Sequence, residues 1–241
     1  MKDKPFKVAC LSGAGISQES GVATFRGAGG LWEGHKVEDV ATPQAFEKDP
    51  VFVWRFYEER RRQGKNCKPN KAHIGIAKLQ EKLGVENLSI ATQNVDGLHQ
   101  KAGAKNVLEL HGSLWKVRCL KCFKERESYE EFKTLPPKCE CGGILRPSVV
   151  WFYEPLPYDI LEEAFLKAKE SDLYLVIGTS GVVEPAASLP KVAKSNGAKV
   201  WEINPDETTI TPICDKSWRS KAGDAIDEVV NEILKIREGI E

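Results

Sequence analysis

Short apolar runs recur along the chain, each followed at once by a polar or glycine-containing turn. Phe6 to Leu11 leads into Gly13-Ala14-Gly15, Leu88 to Ala91 into Thr92-Gln93-Asn94, Leu173 to Ile177 into Gly178-Thr179-Ser180, and Val200 to Ile203 into Asn204-Pro205. Runs this short and uniformly apolar fit strands buried on both faces, as in a parallel sheet. Between them the spacing turns helical. Ala72 to Leu83 aligns Ile76, Leu79 and Leu83, Ile160 to Ala168 is a second stretch, and Asp224 to Ile236 puts Ile226, Val229, Val230, Ile233 and Leu234 on one face. Alternating strand and helix predicts an α/β fold, a Rossmann-like doubly wound parallel sheet.

Two segments break the alternation. Residues 36–70 look helical with no strand, and residues 116–149 hold four of the seven cysteines. The expected division is therefore 1–35, 71–115 and 150–241 for the sheet domain, with a helical insertion at 36–70 and a cysteine module at 116–149 forming a smaller domain. No apolar run approaches the roughly 18 residues of a membrane helix. The first seven residues are polar enough to argue against a signal peptide, so a cytoplasmic protein is expected. The 35 basic and 35 acidic side chains cancel, which gives no electrostatic reason to expect nucleic acid or a membrane as partner. In a reducing compartment the cysteines point to a metal site or buried thiols rather than disulfides.

Cys119 and Cys122 form C-x-x-C, and Cys139 and Cys141 form C-x-C, both near turn residues such as Pro136, Pro137, Gly142 and Gly143. Two such knuckles can set four thiolates tetrahedrally around one Zn²⁺. Four thiolates fill the coordination shell, so this zinc is expected to be structural. A redox C-x-x-C does not need the second pair. Cys10, Cys67 and Cys214 read as packing residues.

Gly13-Ala14-Gly15 after a strand suits close approach of a diphosphate to backbone N–H groups at a helix N-terminus. The third glycine of the dehydrogenase fingerprint is replaced by Gln18, and no acidic residue ends the next strand-like run, which disfavours hydride transfer. The polar residues past the other strands would converge on the same crevice. Uncharged hydrogen-bonding side chains there suit a dinucleotide with ribose hydroxyls and a carboxamide.

With these residues assembled, the chain resembles the sirtuin family. Gly13-Ala14-Gly15-Ile16-Ser17, Glu19-Ser20-Gly21 and Thr24-Phe25-Arg26-Gly27 are similar to its first motif, and Thr92 to His99 to its second. Leu110-His111-Gly112 resembles the segment of its catalytic histidine. The four cysteines, Val149-Val150-Trp151-Phe152, Gly178-Thr179-Ser180 and Ile203-Asn204-Pro205 follow in the family order, so the likeness runs from about Val8 to Ala222. It implies NAD as a consumed co-substrate, one structural Zn²⁺, and removal of acyl groups from lysine on proteins or peptides. Gly13, Ala14 and Gly15, with Gly178, Thr179 and Ser180, would hold the diphosphate and adenosine half. Asn204, Pro205, Asp206 and Ala222 would border the adenine, and Phe25, Arg26 and Trp32 would cover the cofactor. Asn94, Val95 and Asp96 would hold the nicotinamide, with Asn94 and Asp96 catalytic, and Gln93 the nearby ribose. Val150, Trp151 and Phe152 would pair with the substrate.

The resemblance also assigns His111 as the base that takes a proton from a ribose hydroxyl, a task suited to a neutral imidazole with pKa near 6.5. His35, His73 and His99 read as structural, His99 capping or packing near the second motif. Tyr57 and Arg60, three apart and so on one helix face, resemble the Tyr-x-x-Arg signature of sirtuins that accept acidic acyl groups. A phenol and a guanidinium could grip the carboxylate of succinyl- or malonyl-lysine, while Arg60-Arg61-Arg62 could equally be a solvated charge run. Three positions depart from the family pattern. Tyr153 stands where glycine is usual, Ala23 where proline is usual, and Glu184 in the facing wall could favour basic peptides. Mono-ADP-ribosyl transfer, and a zinc-ribbon binding module with an inactive α/β domain, are the alternatives.

Overall fold

The computed structural model describes residues 5–22, 31–32 (backbone only) and 35–239. Phe25, Arg26, Ala23 and the side chain of Trp32 lie outside the described residues. Strand β1 (Val8–Ser12) runs into a short 3₁₀ helix, Ala14–Ser20. The two-residue strands β2 (Leu31–Trp32) and β3 (His35–Lys36) pair antiparallel and lead to helices α1 (Val37–Val40), α2 (Pro43–Lys48) and α3 (Pro50–Asn66). Helix α4 (Lys71–Leu83), β4 (Leu88–Thr92), α5 (Leu98–Lys101) and β5 (Val107–Glu109) return to the main sheet. Strands β6 (Gly112–Cys119), β7 (Glu125–Glu127) and β8 (Leu145–Val149) form a second, antiparallel sheet. Helix α6 (Tyr158–Glu170), β9 (Leu173–Ile177), α7 (Leu189–Ser195), β10 (Lys199–Ile203), β11 (Lys216–Trp218) and α8 (Ala222–Glu238) complete the chain.

The main sheet is wholly parallel, in the order β11-β10-β9-β1-β4-β5. The chain fills one side through β4 and β5, then returns to fill the other through β9 to β11. The order therefore reverses at β1, and a crevice opens at the carboxyl ends of β4, β1 and β9. Alternate residues along each strand serve opposite faces. Val8, Cys10, Leu88, Ile90, Leu173 and Leu175 pack beneath α4 and α8. Ala9, Leu11, Ala91, Tyr174 and Val176 pack beneath α6 and α7. With both faces covered, each central strand reads as a largely apolar run.

The edge strands β5 and β11 and helix α7 were not legible as apolar runs. The edge strands have three residues each, and Lys216-Ser217-Trp218 carries one apolar residue. The glycine turn leads into a 3₁₀ helix rather than an α-helix. Local signals fix the helix starts more clearly. Asp49 Oδ1 accepts from the Phe52 N–H ahead of Pro50, and Asn70 Oδ1 accepts from the N–H groups of Ala72 and His73.

A third core joins α1–α3 to the antiparallel sheet around Trp54, Phe56, Leu114, Trp115, Val117 and Trp151. Strand β6 starts at Gly112, so it crosses from the main-sheet segment into the cysteine module. The three consecutive arginines of α3 divide among three environments. Arg60 borders a cavity, described below. Arg61 is 2% exposed. It pairs with Glu58 at 2.9 Å and donates to the carbonyls of Leu114, Ser128 and Glu130, and so ties α3 to the second sheet. Arg62 is exposed and paired with Glu59 and Glu131. A solvated run therefore describes Arg62 only, because successive helical residues point about 100° apart.

Removing Arg61 strands the Glu58 carboxylate and several carbonyls in a buried site. Arg61→Ala is expected to lower unfolding free energy by about 3 kcal/mol or more, read as the urea midpoint, whereas Arg62→Ala leaves the midpoint in place.

Candidate active site

Two cavities meet at the carboxyl ends of β4, β1 and β9. One, of about 420 Å³, is bordered by Ala14, Gly15, Gly178, Thr179, Ser180, Asn204, Pro205, Asp206 and Ala222. The other, of about 350 Å³ and mostly apolar, runs past Ser17, Val95 and Asp96 to Tyr57, Arg60, Cys67, Val150, Trp151 and Phe152. Gln93, Asn94 and His111 border both, so the residues placed at the strand ends lie at the junction. Each volume falls in the range of small-molecule sites.

Glycine builds the crevice through close packing. A Cβ on Gly13 would sit 2.7 Å from Thr179 Cβ, and one on Gly15 would sit 2.7 Å from Gly178 Cα. The Gly13 and Gly15 N–H groups donate to the carbonyls of Ile177 and Gly178. The expectation that these amides meet a diphosphate is corrected here: they fasten the first strand-end loop to the third. Gly15 and Ala14 still face the polar cavity, while Gly13 borders neither cavity.

The polar strand ends are chained together. Thr179 Oγ1 donates to Gln93 Oε1 at 2.7 Å, and Asn204 Nδ2 donates to the Thr179 carbonyl at 2.9 Å. With its oxygen engaged, the Gln93 amide has its N–H donors to offer a ligand. On the other side, Asn94 Nδ2 donates to Gly13 O and Ser17 Oγ, and Ser17 Oγ donates to Asp96 Oδ2 at 2.7 Å. Burial holds the Asp96 carboxyl above the ordinary carboxylate range, opposed by the Leu98 N–H and the Ser17 hydroxyl. The Trp115 indole N–H donates to the Asp96 carbonyl at 2.7 Å and braces this turn from β6. Ser17 stood in the sequence only as part of a motif. Its role between Asn94 and Asp96 depends on the 3₁₀ turn, which sequence spacing did not reveal.

His111 lies between β5 and β6. Its Nδ1 is 3.0 Å from the Gln93 carbonyl. A carbonyl only accepts, so Nδ1 carries the proton and Nε2 has a free lone pair. Burial lowers the imidazole pKa below its usual value, with the Gln93 hydrogen bond opposing, so the ring is neutral at pH 7. His73 and His99 are buried behind the site with ring centroids 5.0 Å apart. His73 Nδ1 accepts from the Asn70 N–H, and His99 Nε2 shares a hydrogen with Ser12 Oγ.

Tyr57 and Arg60 both border the apolar cavity. The Tyr57 hydroxyl accepts from the Trp151 indole N–H at 2.9 Å, and the Arg60 guanidinium lies 5.1 Å from the centre of the Phe56 ring. Tyr153 has φ +70° and is 81% exposed beside Phe152 at the mouth. An aromatic residue thus holds a left-handed conformation that glycine adopts without strain. Glu184 borders the same cavity and pairs with Ser188 and Lys191.

The Sγ atoms of Cys119, Cys122, Cys139 and Cys141 all lie within 4.8 Å of one another, with 119–141 at 3.5 Å and 122–139 at 3.8 Å. A tetrahedron with Zn–S of about 2.3 Å has edges of about 3.8 Å, so the four thiols fit one zinc ion with no position left over. N–H groups of Cys122 and Lys121 donate to Cys119 Sγ and push that thiol down to about 6.

A nucleotide-type parallel sheet with a polar crevice at its switch point and a four-cysteine module defines an NAD-linked α/β protein class, and comparison with known proteins makes it specific. Residues 13–185 match the Sir2 family model. The chain is 50% identical over 224 residues to an NAD-dependent protein deacylase of Aquifex aeolicus, covering 92% of this chain and 93% of that one. It is 51% identical over 230 residues to NAD-dependent protein deacylase 1 of Archaeoglobus fulgidus, covering 95% and 93%. The solved structure of a Sir2 homologue in complex with NAD superposes with a TM-score of 0.87 at 48% identity, covering 96% of this chain and 90% of that one. The chain belongs to the Sir2 (sirtuin) family.

Two outcomes follow from the site's construction. Purified protein is expected to carry one zinc per chain by elemental analysis, and chelation or Cys141→Ser to lower its thermal midpoint. Burial takes His73 down to about 4, and burial together with the neighbouring His73 takes His99 down to about 3. The unfolded chain therefore binds protons that the folded chain refuses once pH drops below about 6.5. Stability is complete above that value and falls toward pH 3, at up to about 1.4 kcal/mol per pH unit for each histidine. Denaturant titrations between pH 8 and 4 measure it, and a flat profile contradicts the burial of the pair.

Proposed function

We propose that the chain is an NAD-dependent protein-lysine deacylase that moves the acyl group from lysine onto ADP-ribose and releases nicotinamide. The observation that carries this reading is a neutral imidazole, His111, with a free Nε2 where a polar cavity meets an apolar one. The dinucleotide's adenosine and diphosphate would lie against Gly15, Thr179, Ser180, Asn204, Pro205, Asp206 and Ala222. Asn94, Val95 and Asp96 would face the nicotinamide, and Gln93 the adjoining ribose. NAD supplies an electrophilic ribosyl carbon when bound. The chain's task is to place an acyl-lysine amide against that carbon and keep water away. The apolar cavity excludes water, and Val150, Trp151 and Phe152 border its mouth, where an extended peptide would lie. His111 Nε2 then takes a proton from a ribose hydroxyl, which its fixed tautomer allows without rotation of the ring.

Tyr57 and Arg60 bear on the acyl group. A guanidinium and a phenol on one face of α3, bordering a mostly apolar cavity, suit a terminal carboxylate, as in succinyl- or malonyl-lysine. The tyrosine is held in place by Trp151, which reduces the entropy lost on binding.

Mass spectrometry of products from NAD with acetyl-, succinyl- and malonyl-lysine versions of one peptide tests both parts. Nicotinamide and O-acyl-ADP-ribose are the expected products, and labelled protein without acyl transfer would indicate mono-ADP-ribosyl transfer instead. His111→Ala should reduce turnover by at least 10²-fold with the fold retained. The acid limb of kcat/KM is expected below pH 6.5, because burial lowers the His111 pKa. Arg60→Met should remove the preference for succinyl over acetyl. Preference for acetyl in the parent enzyme, unchanged by that substitution, refutes the acidic-acyl assignment while leaving deacylation intact.

A further inference from the structure

Strand β10 buries a carboxylate where its neighbours on the same sheet face bury aliphatic groups. Val200 belongs to the core beneath α6 and α7. Glu202, two residues on and so on the same face, is 0% exposed. Placing a charge there costs several kcal/mol unless it is fully paired. The pairing comes from the loop that follows. Thr208 Oγ1 donates to Glu202 Oε1, Thr211 Oγ1 donates to Oε2 at 2.7 Å, and Arg219 Nη1 pairs with Oε2 at 2.8 Å. Arg219 also donates to the carbonyls of Asn204 and Asp206 at 3.3 and 3.2 Å, and to Thr211 Oγ1 at 3.1 Å. Thr209, between the two threonines, donates to the carbonyls of Gly181 at 2.6 Å and Ser180 at 3.2 Å.

Residues 204–213 contain one short 3₁₀ turn, Thr211–Ile213, and no strand. Their shape is therefore set by these bonds rather than by a backbone ladder. Of the two segments they fix, Ser180–Gly181 and Asn204–Asp206, the residues Ser180, Asn204, Pro205 and Asp206 border the polar cavity. An aliphatic residue at 202 would pack at lower cost but could not organise the loop.

We infer that Glu202 and Arg219 are positioning residues for the adenosine half of the dinucleotide, acting through the Asn204–Asp206 and Ser180–Gly181 segments. Neither needs to touch the ligand. The inference rests on the proposal that the polar cavity holds that half of NAD. Arg219 is the better probe, because its side chain is 33% exposed and its loss leaves the two threonine donors on Glu202.

The test is calorimetric binding of ADP-ribose, combined with steady-state kinetics, on the full chain. Arg219→Met is expected to weaken ADP-ribose binding about tenfold and raise KM for NAD to match. The kcat at saturating NAD and KM for the acyl peptide should stay unchanged. Arg219→Lys, which keeps the charge but cannot fork across Glu202 and two carbonyls, should fall between and serves if the Met variant is unstable. Equal ADP-ribose affinity in parent and variants overturns the inference, as does a fall in kcat with KM for NAD unmoved. Absence of ADP-ribose binding by the parent protein overturns instead the assignment of the cavity.

Discussion

The crevice exists because two loops touch with no side chain between them. Gly13 and Gly15 lie against Gly178 and Thr179 so closely that a single methyl group would overlap backbone or Cβ atoms. Amide-to-carbonyl bonds between the same loops lock the contact. That clearance sets how closely the loops after β1 and β9 approach each other, and the Gln93–Thr179–Asn204 chain across the strand ends and the Asn94–Ser17–Asp96 chain beside it are built around it. A doubly wound sheet supplies the gap, but the glycines decide that the gap closes on backbone and leaves the space above it for a ligand.

Electrostatics in this protein is governed mostly by burial. Asp96 is pushed toward its protonated form and His73, His99 and His111 toward neutrality, in each case chiefly because water is scarce around them. For His111 this keeps the ring uncharged, as its proposed role as a base requires. For Asp96, the Ser17 hydroxyl and the Leu98 N–H donate to the carboxyl and oppose that push. Arg61 and Glu58, and Arg219 and Glu202, show the contrasting solution, in which charged partners are matched within about hydrogen-bond distance and tie neighbouring segments together.

Much of this was legible in the sequence. The four central strands showed as short, largely apolar runs because both faces of the sheet are covered, and the cysteine pairs showed because metal ligation restricts spacing. The polar residues after the runs pointed to a shared crevice. The edge strands were hidden because three residues carry too little pattern. The use of the Gly13 and Gly15 amides was misread because a glycine that lets a ligand approach and one that lets another loop approach look alike in one dimension. The arginine triplet was ambiguous for a similar reason. Composition does not say which of three adjacent residues faces inward, and only the phase of α3 separates Arg61 from Arg62. Glu202 gave no signal at all, since a single acid in an apolar run reads as an interruption until its donors, up to 17 residues away, are folded around it.

His111 is held from two directions. Its ring is anchored to the Gln93 carbonyl beyond β4, and its own carbonyl accepts from the Val150 N–H beyond β8. One residue thus spans the joint between the nucleotide-type sheet and the smaller antiparallel one. Any rocking of one body against the other must stretch one of these two tethers, so the orientation of the base records the angle of the joint.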